Sequence, residues 1–471
     1  MRLDFVGRRG ASTALIDSAD GSALSYDELD DLVQQRRVQL TDSTGVALLL
    51  CQNNIATVID YLAALAAGYS VMPLDAAIAS EPLDGILAGY RPEWILGTDS
   101  TRNFLGYDAT QGDSAQRRTA SDAFDVCGDL AILLSTSGST GSPRMVRLSE
   151  SNVNANTRSI ISSLSITEHD RALTSMPLHY SYGLSVLNSH LAAGASVVIS
   201  SASVVDPLFW SAIADHSVTT FAGVPYTFAM LKKLKYSPAK TPSITKITQA
   251  GGKLDVESVS ELQSLCAANE VEFFIMYGQT EAGPRISCLP SSRLHEKLAS
   301  AGLSMSGGDL FIDEVDSDLP AGTRGEIVYR GPNVMLGYAS VREDLTGEDV
   351  ANGVLRTGDL GYIDPDGFLF VTGRIKRIAK LFGTRVSLDE VETLMAGLGV
   401  VAAVGGNDKL HIHHQCTDSE AITSARKSLS RTLKAPSAAI VMHFDSEFPV
   451  MPSGKVDYRS LTERHTAGQV S

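Results

Sequence analysis

Apolar positions along this chain follow two periods. Nearly unbroken apolar runs of strand length occur at Val46 to Cys51, Ser70 to Pro73, Leu130 to Leu134, Ala172 to Met176, Ala195 to Ser200 and Phe273 to Met276. Such runs suit strands covered on both faces. Helix-length segments lie between them. Tyr26 to Leu40 predicts a helix opened by Ser25, with Glu28 at the capping-box spacing, and Ile55 to Ala67 predicts a second helix rich in small residues. Strands alternating with helices predict an α/β fold with largely parallel sheets. Near residue 310 the pattern changes. From Leu310 to Phe370, short alternating segments are separated by Leu319-Pro-Ala-Gly322 and Asp364-Pro-Asp-Gly367, which predicts an antiparallel β-rich subdomain. Asp364 and Asp366 read as a turn, because the twelve-residue calcium-loop pattern is absent. The expected organisation is a large domain over 1–374, with two α/β subdomains and the β-rich subdomain at about 310–370. A small, mobile α+β domain over 375–471 follows.

Composition narrows the class. The 471 residues carry 39 basic and 54 acidic side chains, a formal net charge of −15, and 44% are hydrophobic. That is a globular chain, neither disordered nor membrane-integral. Its acidic field argues against nucleic acid and anionic membrane as partners. The five cysteines are far apart and form no C-x-x-C pair, which fits neither a disulfide framework nor a zinc site and points to a reducing cytoplasm. The N-terminal residues lack the apolar stretch of a signal peptide, and the longest apolar runs fall far short of the ~20 residues that span a bilayer.

The most informative segment is Leu133-Leu-Ser-Thr-Ser-Gly-Ser-Thr-Gly-Ser-Pro-Arg144. A buried-strand pattern runs into ten residues of Ser, Thr, Gly, Pro and one cation. Glycines let the backbone wrap an anion, hydroxyls donate hydrogen bonds, and Arg144 adds charge. A flexible Ser/Gly linker has the same composition, but linkers rarely follow a buried strand directly. No G-x-x-x-x-G-K-[ST] and no G-x-S-x-G is present, so the chain has neither the P-loop nor the serine-hydrolase signature.

Ser135 to Arg144 resembles the phosphate-binding signature of the AMP-forming adenylate superfamily, which includes acyl-CoA synthetases, nonribosomal peptide synthetase adenylation domains and luciferase-like enzymes. Other segments follow in that family's order: Leu24-Ser-Tyr-Asp-Glu-Leu29, Ala66 to Asp75, Tyr277-Gly-Gln-Thr-Glu-Ala282, Gly325-Glu-Ile to Gly337-Tyr338, Arg356-Thr-Gly-Asp-Leu-Gly361, Gly373-Arg-Ile-Lys376 and Pro452-Ser-Gly-Lys455. Joint order and spacing carry the resemblance across roughly residues 25 to 460.

The resemblance implies a mechanism. A carboxylate oxygen attacks the α-phosphorus of ATP and pyrophosphate leaves, so two anions must meet among cations, Mg²⁺ and anion-binding backbone. It implies that Thr136, Ser137, Gly138, Ser139, Thr140 and Gly141, with Arg144, hold the β- and γ-phosphates. Arg144 stands where the family usually has lysine, a planar fork in place of a compact ammonium. It further implies that Thr280 bonds the α-phosphate and Glu281 holds Mg²⁺. Tyr277 lies against the adenine, opposite Gly251, Gly252 and Lys253, and Asp359 and Arg374 meet the ribose. Lys455 bridges acyl carboxylate and phosphate, and Lys376 is the hinge, with Lys380 and Gly383 turning toward the site after rotation. Taken singly, Glu281 is an exposed acid, Asp359 a turn-former and Lys455 a solvated tail lysine; their combination supports the functional reading.

The implied acid pocket is lined by His179, Tyr180, Ser181, Tyr182, Gly223, Val224 and Gly278. Ser181 stands where amino-acid-activating relatives place an aspartate, and a buried ammonium without a carboxylate partner is costly. The expected substrate is therefore a small or moderately sized carboxylic acid, not an α-amino acid. His179, Tyr180 and Tyr182 read equally well as satisfied core residues. The motif wording favours a thiol acceptor, CoA or the phosphopantetheine of an acyl carrier protein. The family's usual Pro-Asp-x-x-x-Gly-Glu stretch is replaced by Asn407 to Gln415, which leaves an amine acceptor, and hence amide formation, open. A non-catalytic nucleotide-binding relative is the alternative from another class. His411, His413 and His414 alternate with Leu410 and Ile412, which predicts an exposed strand in preference to a metal site.

Overall fold

A computed structural model describes residues 3–40, 45–98, 103–110, 115–119, 124, 126–135, 144–313, 325–381, 384–406, 408–433, 435–450 and 456–466. Thr136 to Gly141, Gly383 and Lys455 lie outside the described residues, and so does the side chain of Lys380.

Two large sheets form the bulk of the fold. In one, Glu272–Tyr277, Lys246–Gln249, Thr220–Gly223, Arg171–Leu173, Ser196–Ile199 and Thr13–Asp17 run parallel in that spatial order, with antiparallel strands at both edges. In the other, Leu130–Ser135, Ser70–Asp75, Val46–Cys51 and Trp94–Leu96 are parallel neighbours. Every residue of Val46–Cys51 is buried, because side chains on its two faces enter different apolar clusters: Ala47, Leu49 and Cys51 in one, Val46, Leu48 and Leu50 in the other. That two-sided burial is why the sequence shows a run and not an alternation.

Local signals set the helix ends. Tyr26–Arg37 begins with the expected capping box: the Ser25 side chain accepts from the Glu28 amide, and the Glu28 carboxylate accepts from the Ser25 amide. Ile55–Ala67 is capped by Asn54 and stopped by Gly68 in the left-handed region, φ 94°. The Ala172 to Met176 run gives a strand of only three residues, Arg171–Leu173. Beyond it Ser175 donates to the Ala222 carbonyl, and the backbone turns toward the helix Ser181–Ala193.

Asp309–Asp313, Gly325–Arg330, Val354–Ile363 and Leu369–Arg374 form a four-stranded antiparallel sheet. The Asp364 side chain accepts from the amides of Asp366 and Phe368, and Lys297 bridges Asp364 and Asp366 at 2.6 Å each, so this pair is a turn held by a lysine. C-terminal to it, Val401–Gly406, Lys409–His414 and Ile440–Phe444 form a three-stranded sheet with an apolar cluster of its own.

One expectation is corrected here. Lys409–His414 is a strand, but it is not exposed: His413 and His414 are each only 2% accessible. Leu461 of the helix Tyr458–Thr466 packs on Ala402 and Val404, which pair with His413 and His411. Alternation within one strand carried no information about that covering helix.

Candidate active site

The three parallel strands Thr220–Gly223, Lys246–Gln249 and Glu272–Tyr277 are in register, with Gly223 beside Gln249 and Gln249 beside Ile275. Segments distant in sequence therefore leave the sheet at one carboxyl edge: Val224, Gly251, and Gly278 to Ala282. Ligands of open α/β sheets bind at such an edge. Two glycines are required there. Gly251 has φ +82°, and an added Cβ would lie 3.0 Å from the Tyr180 hydroxyl; at Gly278 an added Cβ would sit 1.8 Å from the Pro284 carbonyl oxygen.

On one side of this edge stands a carboxylate with three donors. Asp359 is 2% exposed. Its Oδ2 accepts from the Tyr277 hydroxyl at 2.6 Å and from Gln279 Nε2 at 2.8 Å, and its Oδ1 lies 2.8 Å from Arg374 Nε. Asp359 and Arg374 are direct partners across neighbouring strands. Burial, and then the adjacent carboxylate, push the Tyr277 phenol well above its ordinary pKa, and the same carboxylate raises that of Arg374. A carboxylate held this way is a directed acceptor for a diol, once a donor yields its place.

Thr280 and Glu281 open a short 3-10 turn directly after the strand. Thr280 Oγ1 is 3.3 Å from Ser181 Oγ. Glu281 Oε1 accepts from the Tyr338 hydroxyl at 2.8 Å, and the guanidinium of Arg144 lies 4.0 Å from the Tyr338 ring centroid. Met145–Ser149 pairs antiparallel with both Leu130–Ser135 and Gly337–Ala339, so the sheet itself brings Arg144 to Tyr338. Glu281 offers the hard oxygen donors that Mg²⁺ prefers, and its second oxygen has no hydrogen bond among the described residues.

Behind Thr280, Tyr182, Ala222, Val224, Ala250 and Met276 form one apolar cluster with Met176 and Tyr180 packed against it. The Tyr182 hydroxyl bonds Thr248 within that core, at 3.0 Å to the carbonyl and 2.9 Å to the hydroxyl. His179 is not part of the cluster; its Nε2 stands 4.0 Å from Asp75, and burial lowers its pKa. Lys253 is exposed on the loop after the Gly251–Gly252 pair, and Lys376 is exposed in the turn Ile375–Arg377.

Four contributors went unnoticed in the sequence. Gln279 and Tyr338 sit inside quoted motifs, but their partners Asp359 and Glu281 are 80 and 57 residues away. Arg285, 1% exposed, lies under the Tyr182 ring at 4.0 Å and donates to Ser185 Oγ at 3.1 Å; burial lowers its pKa, and the groups that oppose this are Tyr182, Tyr180 and Cys288, not a carboxylate. Arg377 pairs with Asp389 at 2.5 Å and Glu392 at 2.6 Å, with its guanidinium 3.7 Å from the Tyr458 ring centroid. Only the Pro-Arg after Thr-Glu-Ala and the Arg-Ile-Lys-Arg string hinted at the last two.

Known proteins are similar to this chain in sequence and fold. A profile of AMP-binding enzymes matches residues 4–339. The 2-succinylbenzoate–CoA ligase of Bacillus velezensis is 32% identical over 299 residues, 62% of this chain and 59% of that enzyme. The oxalate–CoA ligase of Saccharomyces cerevisiae is 29% identical over 356 residues, 71% of this chain and 63% of the yeast protein. The chain thus spans about three fifths of the length of these curated relatives. The o-succinylbenzoate CoA synthetase of Bacillus subtilis, solved with its acyl-adenylate intermediate, superposes with a TM-score of 0.77 at 25% identity, over 95% of each chain. ATP-bound MatB from Rhodopseudomonas palustris, at 21% identity, shares the fold, with a TM-score of 0.81. With its α/β architecture and a profile match over more than half its length, the chain belongs to the AMP-binding enzyme family, within the AMP-forming adenylate superfamily.

Proposed function

We propose that this protein is an ATP-dependent carboxylic acid ligase that forms an acyl-adenylate and pyrophosphate, then passes the acyl group to the thiol of CoA. The observation that carries this reading is the gathering of Tyr277, Thr280, Glu281, Asp359 and Arg374 at one sheet edge from segments up to 97 residues apart. The names of its relatives, CoA ligases for 2-succinylbenzoate and oxalate, support a carboxylic acid and CoA as substrates.

In this reading Asp359 takes the ribose hydroxyls, exchanging the Tyr277 or Gln279 donor for them, while Arg374 keeps the carboxylate oriented. Thr280 donates to the α-phosphate. Glu281, fixed by Tyr338, holds Mg²⁺, which when bound neutralises phosphate charge. Arg144 offers a cation beside it, and Thr136, Ser137, Gly138, Ser139, Thr140 and Gly141 cradle the distal phosphates. The acid enters the cluster around Tyr180, Tyr182 and Val224 with its carboxylate toward Thr280, and Lys455 approaches both anions and neutralises charge as they meet. Residues 375–471 turn as a unit about Lys376 between the two half-reactions. The free cysteines, two of them only partly buried, are in keeping with a reducing cytoplasm, and among the described residues no helix is long and apolar enough to cross a membrane.

The test is carboxylate-dependent exchange of labelled pyrophosphate into ATP across a panel of mono- and dicarboxylic acids, followed by addition of CoA, pantetheine or amines with products read by mass. Exchange with at least one acid and a CoA thioester as product is expected. No exchange with any acid would favour a non-catalytic nucleotide binder. Exchange followed only by amide, or only by transfer to pantetheine, would replace CoA as the acceptor. The segment Asn407 to Gln415, standing in place of the family's usual Pro-Asp-x-x-x-Gly-Glu pattern, is the reason thiol and amine acceptors both belong in the panel.

A further inference from the structure

We propose that His411, His443 and His465 form a binding site for one divalent transition-metal ion of the zinc class, remote in chemistry from the Mg²⁺ site and independent of the ligase reading. The three histidines come from three elements: the strand Lys409–His414, the strand Ile440–Phe444 and the helix Tyr458–Thr466. One ring nitrogen from each lies within 4.8 Å of the other two. His411 Nδ1 and His443 Nε2 are 3.0 Å apart, close to the roughly 3.3 Å that two imidazole nitrogens keep on a tetrahedral ion with bonds of about 2.0–2.1 Å. The His411 and His465 rings stack with centroids 3.9 Å apart, so the three nitrogens are already gathered, and the rings turn out of that stack to aim their in-plane lone pairs at a common centre.

A fourth histidine backs this group. His413 bonds through Nδ1 to Asp445 and places Nε2 2.9 Å from His465 Nε2. The Asp445 carboxylate fixes the orientation of the His413 ring, which braces His465 from outside the set of three ligands. Arg464 holds the other oxygen of Asp445 at 2.7 Å. Neutral imidazole ligands select zinc, cobalt, nickel or copper over magnesium and calcium. An ion here would tie the last helix to the sheet on either side of the segment bearing Lys455, whose flanks Val450 and Val456 are joined by a β-bridge.

The experiment uses the full chain, stripped with EDTA and free of ATP and Mg²⁺. Zn²⁺ is titrated against a chromophoric chelator and Co²⁺ by its visible absorption, for wild type and for His443→Asn and His465→Asn. One saturable equivalent per chain in wild type, weakened at least tenfold in each variant, is expected. Hydrogen exchange of helix Tyr458–Thr466 in wild type should slow at least fivefold with Zn²⁺, a readout that stands even if the variants misfold. No saturable uptake by wild type, uptake unchanged by the substitutions, or unchanged exchange would show a hydrogen-bonded histidine cluster only and overturn the proposal.

Discussion

Arg377 offers a quantitative test of how the C-terminal elements are held. Its side chain is 15% exposed and its partners Asp389 and Glu392 are 28% and 18% exposed. Glu392 also accepts from the Ala403 amide at 2.7 Å and from the Tyr458 hydroxyl at 3.1 Å. One guanidinium therefore joins the helix Leu388–Leu394, the strand Val401–Gly406 and the helix Tyr458–Thr466. Arg377→Met keeps the aliphatic stem and removes the charge, leaving two carboxylates together without a cation. Stranding a fully buried ion costs about 3–5 kcal/mol; the partial exposure of this triad reduces that to about 2–3 kcal/mol. By that figure, amide exchange in both helices should accelerate roughly 30- to 150-fold. Burial already raises the pKa of Glu392 and Arg377 opposes that rise, so without Arg377 the carboxyl takes up a proton more readily. The deficit should therefore be larger at pH 8 than at pH 5, and Arg377→Met with Glu392→Gln should recover part of it. Unchanged protection in both helices of the single variant would refute the reasoning.

Three further outcomes follow from the same geometry. Asp359→Asn removes the charge that Arg374 and Tyr277 address and should raise the ATP KM in pyrophosphate exchange at least tenfold; an unchanged KM contradicts the ribose assignment. Lys376→Pro fixes the backbone in an exposed turn and should leave acyl-adenylate formation within about threefold while transfer to CoA collapses; equal loss of both half-reactions, followed separately, removes the hinge role. His190 is buried, and burial lowers its pKa from 6.5 to about 4, against a 2.8 Å contact with the Val186 carbonyl. The unfolded chain then binds the extra proton between these values, so stability falls as pH drops from 6.5 toward 4 by up to about 3 kcal/mol. His190→Gln should flatten that limb in melting curves at pH 7, 6 and 5, and an identical slope would count against it.

The strands were legible because burial on both faces leaves an unmistakable apolar run, as at Val46–Cys51, and the first helix because Ser25 and Glu28 cap it locally. Site segments were legible through motif order, and those around Val224, Gly251 and Gly278 to Ala282 leave their strands at the same edge. What the sequence could not show were side-chain partners set by register between distant strands. Asp359 meets Arg374 because two strands of the β-rich sheet pair there, and meets Tyr277 because that sheet leans on the parallel one. The histidines failed for the same reason: Lys409–His414 reads as amphipathic until the helix Tyr458–Thr466, some fifty residues later, covers its polar face.

Arg374 and Arg377 are separated by a single 3-10 turn, yet they grip opposite bodies. The first holds Asp359 at the nucleotide edge, and the second holds Asp389 and Glu392 of the C-terminal elements. In the proposed reading a turn about Lys376 falls between these two grips, so Arg374 stays with Asp359 while Arg377 moves with its acids. If the proposed ATP site and hinge hold, any factor by which an orientation of the C-terminal elements alters ATP binding is the factor by which ATP alters the preference for that orientation. On that reading AMP left at Asp359 biases the arrangement only as far as the two orientations differ in their affinity for it.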